Sequence, residues 1–274
     1  MKTRIISGVA ASALLAAIMF LGRRALGIAV FAAALLCIYE FYQAVEKNGH
    51  RPVKILGYIS CLPLLLIGIE KIPAAGFIPA QILQIYALAI FILIIALLCI
   101  IIFQYGKVNL EDISVTLFGI FYIVFLWSFV TLVRNLDDGY IYIWMVFIGA
   151  WATDIAAYFT GVLIGRRKIL PEVSPKKTLE GSIGGVVGCI LAMVLFGLYA
   201  NTVVNPIPLL HFAIIGLVCG CISQVGDWAA SAIKRFVGIK DYGHIMPGHG
   251  GLLDRCDSIL VVAPVIYFYL TFIL

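Results

Sequence analysis

Residues 207–232 read IPLLHFAIIGLVCGCISQVGDWAASA. Such a run is long enough to cross a bilayer as a helix, for which about 20 mostly apolar residues suffice. Yet it carries an aspartate, Asp227, close to its end. Ser223, Asp227, Ser231 and, just beyond, Lys234 follow one another at intervals of 4, 4 and 3 residues. At about 100° per residue they share one narrow stripe of a helix whose other faces are apolar. The segment therefore predicts a membrane helix with a single polar face. That face leads into a charged, glycine-rich loop, KDYGHIMPGHGGLLDRCD at 240–257.

The chain around this helix is also written for a membrane. Of its 274 residues 63% are hydrophobic and 12% charged, and the mean hydropathy of +1.10 lies far outside the soluble range. Nine apolar runs recur, at 5–21, 26–45, 53–70, 78–103, 113–133, 141–164, 182–203, 207–232 and 257–274. Charges and helix breakers mark the joints, as in GRR at 22–24, EKNGHRP at 46–52 and NPIP at 205–208. The expected fold is all-α: a polytopic integral membrane protein of about nine transmembrane helices. It forms one membrane-embedded domain, 1–274, with amino-terminal helices over 1–135 and catalytic helices and loops over 141–274.

Positive charge gives the orientation. In a nine-span arrangement, fifteen of the nineteen Lys and Arg residues fall on one side, leaving Arg23, Arg24, Lys71 and Arg134 on the other. By the positive-inside rule the amino terminus and the loops 165–181 and 233–256 are then cytoplasmic, in the cell's inner membrane. The net charge of +5 sits beside anionic headgroups and would attract phosphorylated substrates rather than nucleic acid. Lys2 and Arg4 before an apolar run resemble a cleavable leader, but the spans that follow favour an uncleaved first helix. All seven cysteines lie in or beside apolar runs without a CxxC pair, so they read as small hydrophobes.

Ionisable groups inside spans are functional candidates, because desolvating them is costly. Asp154 and Asp227 are the deepest. In WATDIAAYFTGVLIGRR (151–167) the residues Asp154, Tyr158, Gly161 and Gly165 form a second stripe, ending at Arg166, whose glycines admit a close neighbour. For either aspartate the competing reading is a buried partner of a Lys or Arg that only ties helices together. The loop GRRKILPEVSPKKTLEG (165–181) supplies five cations. Ser174-Pro175 predicts a helix start there, placing Lys176 and Lys177 near a helix amino end where an anion is favoured. The loop lacks the glycines of a P-loop, and GSIGGVVG after it reads better as helix packing than as a phosphate cradle.

In 240–257, Asp241, Asp254 and Asp257 alternate with Lys240 and Arg255, and PGHGG provides a backbone able to fold closely around a ligand. Mg²⁺ takes one or two carboxylates and fills its remaining positions with water and phosphate oxygens. Aspartates with a basic rim therefore suit metal-assisted phosphoryl chemistry. Zinc through His244 and His249 lacks a third ligand of convincing spacing. Acyl hydrolysis lacks a GxSxG elbow.

At this point the residues match a family. Ser231, Lys234, Arg235, Lys240, Asp241, Pro247, Gly248, His249, Gly250, Gly251, Asp254, Arg255 and Asp257 fit the signature of the phosphatidate cytidylyltransferases, or CDP-diacylglycerol synthases. SxxGD from Ser223 to Asp227, DxxAYxxG at 154–161, GRR at 165–167 and SPKKTLEG at 174–181 fit as well. The chain thus resembles that family throughout, its amino-terminal helices only in being hydrophobic. The resemblance implies a Mg²⁺-dependent membrane enzyme that joins CTP and phosphatidic acid and releases pyrophosphate; a homodimer is compatible with it. Asp227 and Asp254 are the leading metal ligands, with Asp257 and Asp154 next. Lys176, Lys177, Lys234, Arg235, Lys240, Arg255 and Arg166 would clamp phosphates. Ser223, Ser231, Ser174, Asp241, Gly250 and Gly251 would shape the substrate site, and His249 would bond a phosphate oxygen. A CTP-dependent lipid or polyprenol kinase and an ion or proton transporter are the rival readings. The transporter leaves the cation-rich loops and PGHGG unexplained.

Overall fold

In hydrocarbon an unpaired backbone N–H or C=O finds no water, so a chain this apolar closes its hydrogen bonds inside helices. The computed structural model describes residues 2–69, 80–245 and 250–274. Its elements are α1 (Lys2–Leu21), α2 (Arg23–Lys47), α3 (Lys54–Ile59), α4 (Leu62–Ile69), α5 (Ala80–Phe103), α6 (Leu110–Gly119), a π-helical stretch (Ile120–Phe125), α7 (Leu126–Asn135), α8 (Gly139–Ile164), α9 (Leu179–Ala200), α10 (Leu209–Phe236) and α11 (Leu253–Phe272). Among the described residues there is no strand, only an isolated antiparallel bridge between Lys168 and Thr178. The all-α, multi-pass membrane fold is as expected.

Six helical segments are long and apolar enough to cross a membrane: Arg23–Lys47, Leu110–Asn135, Gly139–Ile164, Leu179–Ala200, Leu209–Phe236 and Leu253–Phe272. The other three predicted spans correspond, within the described residues, to the shorter apolar helices Gly8–Leu21, Lys54–Gly68 and Ala87–Phe103. The run 53–70 is broken at Ser60 and Cys61 between α3 and α4. The run 113–133 is continuous but widened locally by its π-helical turn over Ile120–Phe125.

Alternating helix direction gathers one set of ends. The Arg51 amide, after α2, donates to Asp112 Oδ1 at the start of α6 (2.6 Å), and the Val53 amide donates to Thr116 Oγ1 (2.8 Å). At the same end Arg235 Nε, on the last turn of α10, donates to the Val173 carbonyl ahead of α9 (3.3 Å). One buried apolar cluster runs from Met19 in α1 to Tyr269 in α11. Outward-facing residues such as Leu163, Val162 and Leu195 remain exposed, as lipid-facing side chains do.

Small residues set the helix spacing. A Cβ at Gly149 of α8 would stand 3.0 Å from Val262 Cγ1, 3.2 Å from Cys219 Cβ and 3.2 Å from Met193 Cε, so α8, α9, α10 and α11 converge there. Gly181, Gly184, Gly185 and Gly188 of α9 lie against Ala157, Thr160, Thr153 and Ala156 of α8, which makes GSIGGVVG a packing motif. Gly216 of α10 touches backbone: an added Cβ would sit 2.6 Å from Ile190 Cα and 3.1 Å from the Cys189 carbonyl oxygen. Backbone cannot rotate away as a side chain can. Gly216→Val should therefore cost about 1–3 kcal/mol by overpacking. A lower melting temperature in detergent, with the specific activity of the folded protein kept, is the expected result.

Candidate active site

The polar stripe of α10 meets α11 along a seam opened by Gly226. A Cβ there would come within 2.8 Å of the Asp257 carbonyl oxygen, so no larger residue fits immediately before Asp227. One turn earlier Ser223 is fully buried. Its carbonyl accepts the Ser258 hydroxyl at 3.2 Å, while its own Oγ is left without a partner. Asp257, also buried, accepts the Ser258 amide at Oδ1 (2.7 Å). Asp227 forms an ion pair with Lys177, whose ammonium also lies 5.8 Å from the centre of the Trp228 ring. Asp154, on α8, is within electrostatic reach of Asp227, Lys177 and Arg255. Asp257 in turn feels Asp227, Lys234 and Asp154. Three helices thus bring three mutually interacting carboxylates together, with Lys177 acting on Asp227 and Asp154 and Lys234 on Asp257.

Lys177 is delivered by the loop between α8 and α9. The Lys168–Thr178 bridge is reinforced by Ile169 N to Lys177 O (3.3 Å) and Leu179 N to Arg167 O (2.8 Å). Glu180 accepts the backbone amides of Arg166 (2.9 Å) and Arg167 (3.2 Å). Gly161 and Gly165 let this hairpin-like loop close: Cβ atoms there would lie 3.2 and 2.6 Å from Thr178 Oγ1. The predicted helix start at Ser174-Pro175 is wrong. Helix α9 begins at Leu179, and its N-cap is Thr178, extended at φ −121° and ψ 154°, with Oγ1 accepting the Gly181 amide. The bridge holds Thr178 extended, the conformation an N-cap needs, whereas Ser174 sits in a turn whose carbonyl accepts the Lys177 amide (3.2 Å). Lys176 and Lys177 accordingly precede the helix.

A second cluster follows α10. Lys234 donates to Asp254 Oδ1 at 2.7 Å, with side chains only 14% and 3% exposed. Asp254 Oδ2 accepts the amides of Tyr242 (2.8 Å) and Gly251 (3.0 Å). Gly250, at φ +87°, lies between two carboxylates, since its Cβ would stand 3.3 Å from Asp254 Oδ2 and 3.4 Å from Asp241 Oδ1. That left-handed backbone suits glycine. The Tyr242 hydroxyl donates to the Ala230 carbonyl (3.3 Å). Burial, with Asp254 and Asp257 adding to it, pushes this phenol well above its ordinary range and keeps it a donor.

Of the remaining predicted residues, Arg166, Lys176, Arg235, Lys240 and Arg255 are exposed and Ser231 is half-buried on the α10 stripe. They form the rim. His249, with Pro247 and Gly248, lies outside the described residues.

One residue at the site escaped the sequence reading. Glu40 of α2 is 2% exposed and accepts the amides of Leu252 (3.0 Å, Oε1) and Leu253 (2.9 Å, Oε2). Its signal was available, an acid inside the apolar run 26–45. What it pairs with was not.

Among the described residues no three His, Cys, Asp or Glu side chains converge as ligands to one ion. Mg²⁺ does not require that, because one or two carboxylates with phosphate and water complete its shell. The unpartnered Ser223 Oγ beside Asp227 and Asp257 offers hard oxygens of the right kind, so the residues fit a divalent cation. Asp254 is the most committed of the four acids, with both oxygens already accepting.

Comparison with known proteins identifies the family to which the chain belongs. Residues 2–273 match the model of the "Cytidylyltransferase family". A "Phosphatidate cytidylyltransferase" of Bacillus subtilis is 32% identical over 272 residues, 98% of this chain and 97% of its own length. One of Synechocystis is 32% identical over 299 residues, 99% of this chain and 97% of its own. One of Thermotoga maritima is 40% identical over 151 residues, 54% of this chain and 56% of its own.

The buried Lys234–Asp254 pair can be tested apart from any activity. Removing one partner strands a buried charge, at about 3–5 kcal/mol. Lys234→Met should therefore melt at a lower temperature than Lys234→Met with Asp254→Asn, in which neither charge is left.

Proposed function

We propose, on the premise that the chain belongs to the cytidylyltransferase family, that it transfers the cytidylyl group of CTP to phosphatidic acid, and that the carboxylate–lysine cluster of α8, α10 and α11 is where it does so. The product is CDP-diacylglycerol, a precursor in phospholipid synthesis. The observation that carries the site assignment is the junction of three aspartates from three membrane helices, Asp154, Asp227 and Asp257, with Lys177 from a loop. Ion-pair networks that merely join helices have no need of a cation-rich rim, an unpartnered serine oxygen and a glycine-lined loop at the same place.

In the reaction a phosphate oxygen of phosphatidic acid attacks the α-phosphorus of CTP, and the bond from that phosphorus to the β-phosphate bridging oxygen breaks, releasing pyrophosphate. The nucleophile is already ionised at neutral pH, so catalysis is mostly positioning and charge neutralisation. Lys177 and Lys234 are placed to meet phosphate oxygens, with Arg166, Lys176, Arg235, Lys240 and Arg255 on the rim. His249 is assigned to a phosphate oxygen on the family resemblance alone. Asp227 and Asp257, with Ser223 and Asp154 beside them, would hold Mg²⁺, and Asp254 belongs to the same acidic set. When bound, Mg²⁺ supplies charge neutralisation on the phosphates. Membrane embedding suits the lipid substrate, which reaches the helix ends along the bilayer, while CTP arrives from the aqueous side. All these residues come from one chain, so a homodimer is not needed to complete the site.

The test is purified protein with Mg²⁺, phosphatidic acid and each of the four nucleoside triphosphates. Expected are CDP-diacylglycerol and pyrophosphate from CTP and their loss in EDTA. CDP as the leaving product would instead mark a lipid kinase. Asp227→Asn keeps the shape, removes one charge and leaves Lys177 compensated by its other acidic neighbours. It should fold normally and lose roughly 10²-fold in rate or more.

The positive-inside count supports reading this end of the bundle as cytoplasmic. Cysteines introduced at Glu172 and Gly238 in a cysteine-free background should resist an impermeant thiol reagent in intact cells and react once the membrane is opened. Labelling of both in intact cells would reverse the orientation.

A further inference from the structure

The first amides of a helix have no partner within it, and at the start of α11 two of them are served from far away in sequence. Leu252 and Leu253 donate to the two oxygens of Glu40, 212 and 213 residues earlier. The next amide back, Gly251, donates to Asp254 of the helix itself. The same stretch carries Asp254 and, one turn on, Asp257. We propose that Glu40 is a positioning residue of the active site: it clamps the start of α11 from α2, and so fixes Asp254, its Lys234 partner and the Gly250–Gly251 backbone before them. The inference rests on the site assignment made above.

The surroundings are built for this carboxylate. A Cβ at Gly251 would stand 2.6 Å from Glu40 Oε2, and one at Gly243 would meet Oε1 more closely still. Two glycines, Gly243 and Gly251, therefore leave room for one carboxylate. Glu40 is held in turn by α2, whose neighbours Phe41 and Tyr42 are buried, and Tyr42 donates to the Thr116 carbonyl (3.1 Å). An acid in a span without a counter-ion is costly. Two amide donors and the positive end of the α11 dipole offset that cost. A carboxylate is also the group that can accept both amides at once. A glutamine offers one acceptor oxygen and turns an NH₂ toward the other amide. Glu40 meets the backbone of Gly243, Gly251, Leu252 and Leu253, so its effect on the reaction passes through the start of α11.

The experiment compares Glu40→Gln, Glu40→Asp and Asp254→Asn with wild type as purified full-length protein in detergent. Three quantities are read for each: melting temperature, kcat per folded protein with Mg²⁺ and CTP saturating, and hydrogen exchange of peptides covering 250–256. For Glu40→Gln the expected results are a folded protein, exchange at 250–256 faster by about ten-fold, and kcat lower by about ten-fold or more. Glu40→Asp keeps both acceptor oxygens and should recover part of the loss. Wild-type kcat and exchange in Glu40→Gln would overturn the proposal. So would a purely structural outcome, a lower melting temperature with kcat of the folded fraction unchanged. If Glu40→Gln does not accumulate, Gly243→Ala takes its place, because the added Cβ presses on the same carboxylate; the same two readouts then support or overturn the idea. Asp254→Asn separates the two levels: near-wild-type activity in that variant sinks the site assignment, whereas its inactivity beside a wild-type Glu40→Gln sinks the clamp alone.

Discussion

Charge buried in an apolar bundle has to be compensated where it stands, and in this protein that requirement organises one end of the fold. Asp154, Asp227 and Asp257 occupy helices that are otherwise hydrophobic. Each would be expensive to keep ionised alone. Lys177 reaches in from the α8–α9 loop to Asp227, and Lys234 closes on Asp254. The loops that carry or flank these lysines are consequently shaped by the carboxylates rather than free to roam. Beside these acids the Ser223 hydroxyl is left without a partner, so carboxylates, a hydroxyl and two lysines meet at one end of the bundle.

The bundle provides the rigidity such a cluster needs. Glycines at 181, 184, 185 and 188 bring α9 against α8, Gly216 brings α10 against α9, and Gly226 brings α10 against α11. Small residues let backbones approach, which in lipid replaces the hydrophobic drive that operates in water. Close approach also fixes the relative rotation of the helices. Asp154, Asp227 and Asp257 then lie within electrostatic reach of one another even though they belong to three separate elements. For phosphoryl transfer, where catalysis is mainly placement of charge, that rotational fixity is the enzyme's main contribution.

The amino-terminal half carries none of the charged motifs read from the sequence, although the family match extends over it. In the structure it nonetheless reaches the site, through α2 and its single buried carboxylate. Beside the shared apolar core, two backbone hydrogen bonds join the halves here, and both end on the first amides of the helix that carries Asp254 and Asp257.

Much of this was legible in the sequence, and the parts that were not share a reason. Helical spans, the polar stripe of Ser223, Asp227, Ser231 and Lys234, and the glycine pair Gly161 and Gly165 all follow from side chains three or four residues apart, a period that the helix itself imposes. The charged signature at 240–257 identified the chemistry for the same reason: its residues are neighbours in sequence. Three other features required the tertiary structure. Helix α9 starts at Thr178 instead of Ser174 because a bridge to Lys168 holds Thr178 extended. Lys177 meets Asp227 because the bridge beside it fixes the α8–α9 loop against α10. Glu40 serves α11 because packing brings the carboxyl end of α2 to the amino end of a helix more than two hundred residues later. Periodicity reports which residues share a face of one helix, and only the packing of helices decides what that face meets.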